Sequence, residues 1–156
     1  MAKLHDYAAL ISWTGDRGQG TRTYRGYDRT WRIATAGKLP IDCSNDPLLG
    51  GDPSKPNPED LVLASLSACH MLWYLHFASE AGIVVRGYQD APIGVGETGP
   101  RGEGRFVRAT LRPTITVEPG ADLAKADALH HKVHDYCFIA RSVNFPIEYQ
   151  ATYVEA

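Results

Sequence analysis

Residues 57–82 read NPEDLVLASLSACHMLWYLHFASEAG, and their reading decides the fold. Asn57 suits an N-cap, Pro58 the first helical position, and Glu59 and Asp60 put acids in the first turn, where they complement the helix dipole. Gly82 supplies the stop. The pattern predicts a helix of about 24 residues, roughly 36 Å long. Apolar or small residues lie nearly all round it, among them Leu61, Leu63, Leu66, Met71, Leu72, Trp73, Leu75 and Phe77. Such a helix is covered on most sides, and in a chain of 156 residues part of that cover is expected from a second subunit.

Working outward, 5–13, 22–35 and 38–43 read as extended segments punctuated by Gly15, Gly18, Gly20, Gly26 and Gly37, an N-terminal antiparallel meander. Downstream, 83–95 and 105–117 read as two long strands joined by the turn GETGPRGEG, with Pro113 marking an edge or a bulge. A second helix is expected over 121–136, a short turn over 137–143, and a last strand over 147–154. Strands, long helix, strands, helix and strand make an α+β class fold. The length and the absence of repeats or linkers fit a single domain over 1–156. Apolar residues at 44%, charged residues at 22% and a formal net charge of -2 give no bulk reason to expect nucleic acid. The first ten residues, MAKLHDYAAL, do not carry the basic and apolar pattern of a secretory signal, and no apolar run reaches the length of a membrane span, so a cytoplasmic location is expected.

Cys43, Cys69 and Cys137 are too few for a disulfide scaffold in a chain of this size. A buried free thiol is commonly an inert small hydrophobe, and Cys69 lies too far into its helix to feel the positive end of the dipole. A reactive Cys69 therefore needs a cation from elsewhere to hold it as thiolate. The second thiol sits in HHKVHDYCFIARSVN, residues 130–144, where steps of three and four put His130, His134 and Cys137 on one helix face. That spacing raises a metal site, without the CxxC or HExxH patterns that would strengthen it. His70 and His76 read as packing histidines, and Cys43, in the margin of a Pro- and Asp-rich loop, as structural. The Gly-rich WTGDRGQGTRTY, residues 13–24, matches neither phosphate-binding fingerprint and reads as a hairpin turn presenting Arg17 or Arg22.

Three motifs coincide: WTGDRGQGT at 13–21, NPEDLVLASLSACHM at 57–71 and CFIARSVNFPIE at 137–148. Together they resemble the OsmC/Ohr family, the osmotically inducible and organic hydroperoxide resistance proteins, over nearly the whole chain. The resemblance implies an OsmC-like fold, an intertwined homodimer whose long central helices are wrapped by antiparallel sheets. It also implies thiol-dependent reduction of organic hydroperoxides in oxidative-stress defence. Cys69 attacks the peroxide, Cys137 closes a disulfide with it, Arg17 and Glu59 assist, and an external thiol, dihydrolipoyl groups by resemblance, reduces the bridge. No cofactor or metal is implied. Arg22 and Arg25 lie close enough to Arg17 in sequence to compete for its role. Two residues depart from the usual pattern: Phe138 follows Cys137 in place of Pro, and His70 follows Cys69 in place of an aromatic or aliphatic residue.

Helix geometry adds a constraint. Glu59 and Cys69 are separated by about 15 Å along the axis and by roughly 80° in azimuth, so one chain's Glu59 cannot touch its own Cys69. If both serve one site, Glu59 comes from the partner subunit. An apolar wall of Leu66, Met71, Trp73 and Phe145 is expected to favour an alkyl or lipid hydroperoxide. Two other readings stay open at this point: a non-catalytic binder of an apolar ligand, and a metal-binding protein using Cys137, His130 and His134.

Overall fold

The computed structural model describes residues 3–156. Contacts divide the chain into two compact units, Met1–Leu61 and Val62–Ala156. In the first, β1 (Leu10–Trp13), β2 (Trp31–Ala34) and β3 (Ile41–Cys43) form the expected antiparallel meander in the order β1-β2-β3. Trp13 pairs with Trp31 and Trp31 with Cys43, and the Trp31 indole N–H donates to the Ser44 carbonyl at 2.9 Å. The strands are shorter than the sequence suggests, because the Gly-rich stretch before β2 is bound into turns. Asp16 Oδ1 accepts from the backbone N–H of Gly18 at 2.7 Å and of Gly20 at 2.9 Å, and these bonds hold its carboxyl below the usual range.

The long helix, α1, runs Pro58–Glu80. Its start is a reciprocal cap: Asn57 Oδ1 accepts from the Asp60 N–H at 2.8 Å, and Asp60 Oδ2 from the Asn57 N–H at 3.1 Å. Its end is a Schellman motif, in which Gly82, at φ 73°, lets the Ile83 N–H reach the Ala78 carbonyl at 2.9 Å and its own N–H reach Ser79 at 3.1 Å. By length and composition α1 is long and apolar enough to cross a membrane. Its stripe of Leu66, His70, Tyr74, Phe77 and Ala78 is nevertheless buried against protein, as in a core helix. The opposite stripe of Ala64, Ala68 and Leu72 is exposed, Leu72 by 63%.

In the second unit, each long strand expected from the sequence is broken once. β4 (Val85–Asp90) and β5 (Ile93–Thr98), β6 (Gly104–Leu111) and β7 (Pro113–Val117), and β8 (Ile147–Tyr149) and β9 (Thr152–Glu155) are three interrupted strands, giving sheets β4-β7-β9 and β5-β6-β8. The outer pairings β4–β7 and β5–β6 are antiparallel, while β7–β9 and β6–β8 are parallel, because the chain returns through α2 (Leu123–Tyr136) before making its last strand. Pro113 marks the central break, where the Arg112 N–H at the interruption donates to Asp90 Oδ1 at 2.7 Å. The other Asp90 oxygen accepts from the Ser67 hydroxyl of α1 at 2.5 Å, so one carboxylate ties the helix to the bend in the sheet. Close approach of α1 to β5 needs Gly94, where a Cβ would come within 2.5 Å of the Phe106 ring and 3.0 Å of Leu63.

Helix α2 starts on Asp122, whose side chain accepts from the Lys125 N–H at 2.9 Å, and buries the stripe Ala126, His130, Val133 and Cys137. A core of Tyr74, Phe77, Ile83, Ile115, Val117, Ala126 and Val133 joins α1, α2 and β7. Two histidines sit within this interior, His70 at 7% and His130 at 1% exposure. His70 Nε2 lies 2.7 Å from His130 Nδ1, so one ring donates and the other accepts. His130 is further stacked on Tyr74 at 4.4 Å and on Tyr149 at 4.5 Å between ring centres. Burial lowers the His70 pKa to about 4, against a smaller opposing pull from Asp90 and with help from His134. Burial, then His70 and His131, lowers that of His130 to about 3. Both rings are neutral at physiological pH.

Above about pH 6.5 neither the folded nor the unfolded chain charges these rings, and the pair costs nothing in proton linkage. As pH falls from there towards 4, the unfolded chain takes up protons that the folded chain refuses, and stability drops by about 1.4 kcal/mol per pH unit for each proton. Urea midpoints are therefore expected to fall between pH 7 and pH 5, and the double variant His70→Leu/His130→Phe to flatten that fall. Asp90→Ala strips the acceptor from both the Arg112 N–H and the Ser67 hydroxyl and is expected to lower stability by about 1 to 3 kcal/mol in the same titration at pH 7.

Candidate active site

Cys69 and Cys137 are brought together although 68 positions separate them in sequence. Cys69 is half-buried on the flank of α1, packed against the core to which Cys137 belongs. Cys137, the C-cap of α2, is 1% exposed, and its Sγ accepts from the Ala140 N–H at 3.4 Å in the 3-10 turn Ala140–Ser142. Burial first, and then the neighbouring Cys69 side chain, raises the Cys137 pKa well above the ordinary thiol range, while the Ala140 N–H opposes the shift. Cys137 is thus a thiol that keeps its proton, and Cys69 is the more accessible of the two residues. Both cysteines are free, as is Cys43. Cys43 is fully buried in the first unit, and burial raises its pKa, which matches a structural thiol.

Beside Cys69, Trp73 stacks on Phe77 at 5.4 Å and meets Tyr136 at 5.2 Å between ring centres, an aromatic wall contributed by α1 and α2. Of the rest of the expected apolar wall, Leu66 is buried in the His70 stripe of α1, and Phe145 packs on Phe106 of β6 at 5.2 Å. His76, expected as a packing residue, is exposed and lies 3.4 Å from Glu80.

Arg17 and Glu59 belong to the first unit. Arg17 is about half exposed, with its guanidinium donating to the Arg25 carbonyl and 3.7 Å from Asp28. Arg22 and Arg25 are exposed, whereas Arg29 is held over the Tyr24 and Tyr27 rings at 4.3 and 5.0 Å. Glu59 is exposed in the first turn of α1. The face predicted to carry His130, His134 and Cys137 exists, but His130 is bonded to His70, and among the described residues no group of three His, Cys, Asp or Glu side chains is placed to hold a metal ion.

The feature that sequence reasoning missed is the His70–His130 pair and the cavity of about 310 Å³ next to it. Leu66, His70 and Leu111 lie in its inner part and His131, His134 and Glu148 among its exposed residues. Cys137 is part of its lining. The available signal was positional: each histidine occupies the buried stripe of its own helix, His70 between Leu66 and Tyr74, His130 between Ala126 and Val133.

A family described as OsmC-like protein matches residues 51–151. No curated protein matches the sequence. Among solved structures, an OsmC-like protein of unknown function from Vibrio cholerae is similar at TM-score 0.85 and 25% identity, covering 95% of this chain and 99% of its own. An organic hydroperoxide resistance protein from Elizabethkingia anophelis is similar at TM-score 0.70 and 20% identity over 100% of both chains. One from Bacillus subtilis is similar at TM-score 0.60 and 19% identity over 95% of this chain and 98% of its own. The α+β fold and the match across well over half the sequence carry the conclusion that the chain belongs to the OsmC-like protein family.

Proposed function

We propose that the protein is a thiol-dependent peroxidase that reduces organic hydroperoxides through Cys69 and Cys137. The observation that carries this reading is a half-buried free thiol, Cys69, packed against the core that holds a second, buried free thiol, Cys137. Cys69 Sγ attacks the terminal peroxide oxygen; the S–O bond forms as the O–O bond breaks, and the alcohol leaves with a proton. Cys69 is then a sulfenic acid. Cys137 displaces its hydroxyl, the thiol proton leaves as part of water, and a disulfide joins the two residues. Arg17 is the proposed cation that holds Cys69 as thiolate and balances charge on the leaving oxygen, with Glu59 orienting it. The half-buried Trp73 and its aromatic neighbours favour an alkyl or lipid chain over hydrogen peroxide.

A homodimer is part of the proposal. The exposed stripe of α1 and the uncovered Leu10, Ile11, Trp13 and Ile41 of the first unit, each at least 46% exposed, form apolar surface that a second copy would cover. If Glu59 serves the same site as Cys69, helix geometry requires it to come from the other subunit.

One equivalent of cumene hydroperoxide is expected to give a Cys69–Cys137 disulfide with Cys43 still free, read by peptide mapping. Cys69→Ser abolishes peroxide consumption, whereas Cys137→Ser permits one turnover and stops at the sulfenic acid. Three free thiols after exposure would leave a ligand-binding role for the fold; equal loss of the first attack in both variants would mean that the nucleophile is misassigned.

A heterodimer of Cys69→Ser and Glu59→Ala chains carries one doubly defective site and one intact site when Glu59 crosses between subunits. Activity per dimer is then expected near half of wild type, after subtracting the mutant homodimers. If both residues came from one chain, each site would carry a single defect and no rescue would appear.

A further inference from the structure

Most of the core shared by α1 and α2 is hydrophobic contact among Tyr74, Phe77, Ala126 and Val133, which has no preferred direction. Among these residues stand two imidazoles, His70 of α1 and His130 of α2, joined Nε2 to Nδ1 at 2.7 Å. Their ring planes lie within 15° of each other with centres 5.0 Å apart, so the contact runs from ring edge to ring edge. Burying two polar rings costs free energy that Leu or Phe would avoid, and among the described residues His130 Nε2 has no hydrogen-bond partner. Such a pair is a poor way to gain stability and a good way to fix geometry. Lys132 and Glu80 also link the two helices, at 3.7 Å, but both are about half exposed and their long side chains set no register.

The cysteines are tied to the same two rings. Cys69 precedes His70 in α1, and Cys137 caps α2 on the buried stripe that holds His130. A slip of α1 by one residue's rise displaces Cys69 by about 1.5 Å. The Cα separations that close a disulfide span only about 2 Å. We propose that His70 and His130 are positioning residues for the bridge: their bond fixes the register of α1 on α2 at which Cys69 meets Cys137, and so governs closure of the disulfide without changing the reactivity of Cys69. The proposal rests on the disulfide assigned above to Cys69 and Cys137. Neither ring takes part in the bond changes; the hydroxyl still leaves Cys69 and the proton still leaves Cys137, together as water.

A positioning bond and mere burial rank substitutions differently. The amide nitrogen of glutamine lies as many bonds from Cγ as His70 Nε2 does, so His70→Gln reaches His130 Nδ1. His70→Asn, one methylene shorter, does not reach it, and His70→Leu fills the space without a polar atom. If the rings served packing alone, His70→Leu would match or exceed His70→Gln.

Each variant, checked for folding by circular dichroism, is oxidised with diamide, which takes two electrons and two protons from Cys69 and Cys137 as the S–S bond forms. Bridging, followed by peptide mass, is expected within about three-fold of wild type in His70→Gln and slower by about ten-fold or more in His70→Leu and His70→Asn. Alkylation of Cys69 by iodoacetamide is expected within about two-fold of wild type throughout. Bridging in His70→Leu or His70→Asn as fast as in His70→Gln, parallel slowing of alkylation and bridging, or no Cys69–Cys137 bridge in the wild type would overturn the assignment. If His70→Leu does not fold, His70→Gln against His70→Asn decides, and His130→Asn, whose amide takes the place of Nδ1, against His130→Leu repeats the comparison from α2. A bridge that forms with diamide but not with hydroperoxide removes the peroxidase reading and leaves this comparison in force.

Discussion

The 2.7 Å hydrogen bond between His70 and His130 is the joint on which the thiol geometry depends. It links the middle of α1 to the middle of α2, and each cysteine is placed relative to it: Cys69 precedes His70 by one residue, and Cys137 follows His130 by two helical turns. A hydrophobic pair at these positions would also bury surface, but it would tolerate sliding of one helix on the other. A directional bond between two neutral rings, one of them, His130, stacked on both Tyr74 and Tyr149, favours one register. That register sets where Cys69 of α1 lies against the core to which Cys137, at the end of α2, belongs.

Much of this was legible in residues 57–82. Asn57, Pro58 and Gly82 define α1 because capping is local chemistry, and the structure adds only the reciprocal Asp60 bond and the Schellman pairing. The strands were less legible. The breaks at Arg112 and its neighbours depend on Asp90, 22 residues away, satisfying an amide that the sheet abandons, and no window of sequence shows that partnership. The parallel pairing of the last strand is likewise a product of topology. At the site, the two thiols were readable as motifs, but their unequal burial was not. Nor was the histidine pair: His70 and His130 are 60 residues apart, and only the packing of the helices makes them one feature.

The unequal burial of Cys69 and Cys137 gives the pair a direction. A thiol pair of equal exposure and acidity would let either sulfur meet an oxidant. Here Cys137 is covered by core, bonded by the Ala140 amide and kept protonated, and Cys69 is the more accessible of the two. In the proposed peroxidase cycle, the same burial would shelter a Cys69–Cys137 bridge from solvent thiols as well as from oxidants.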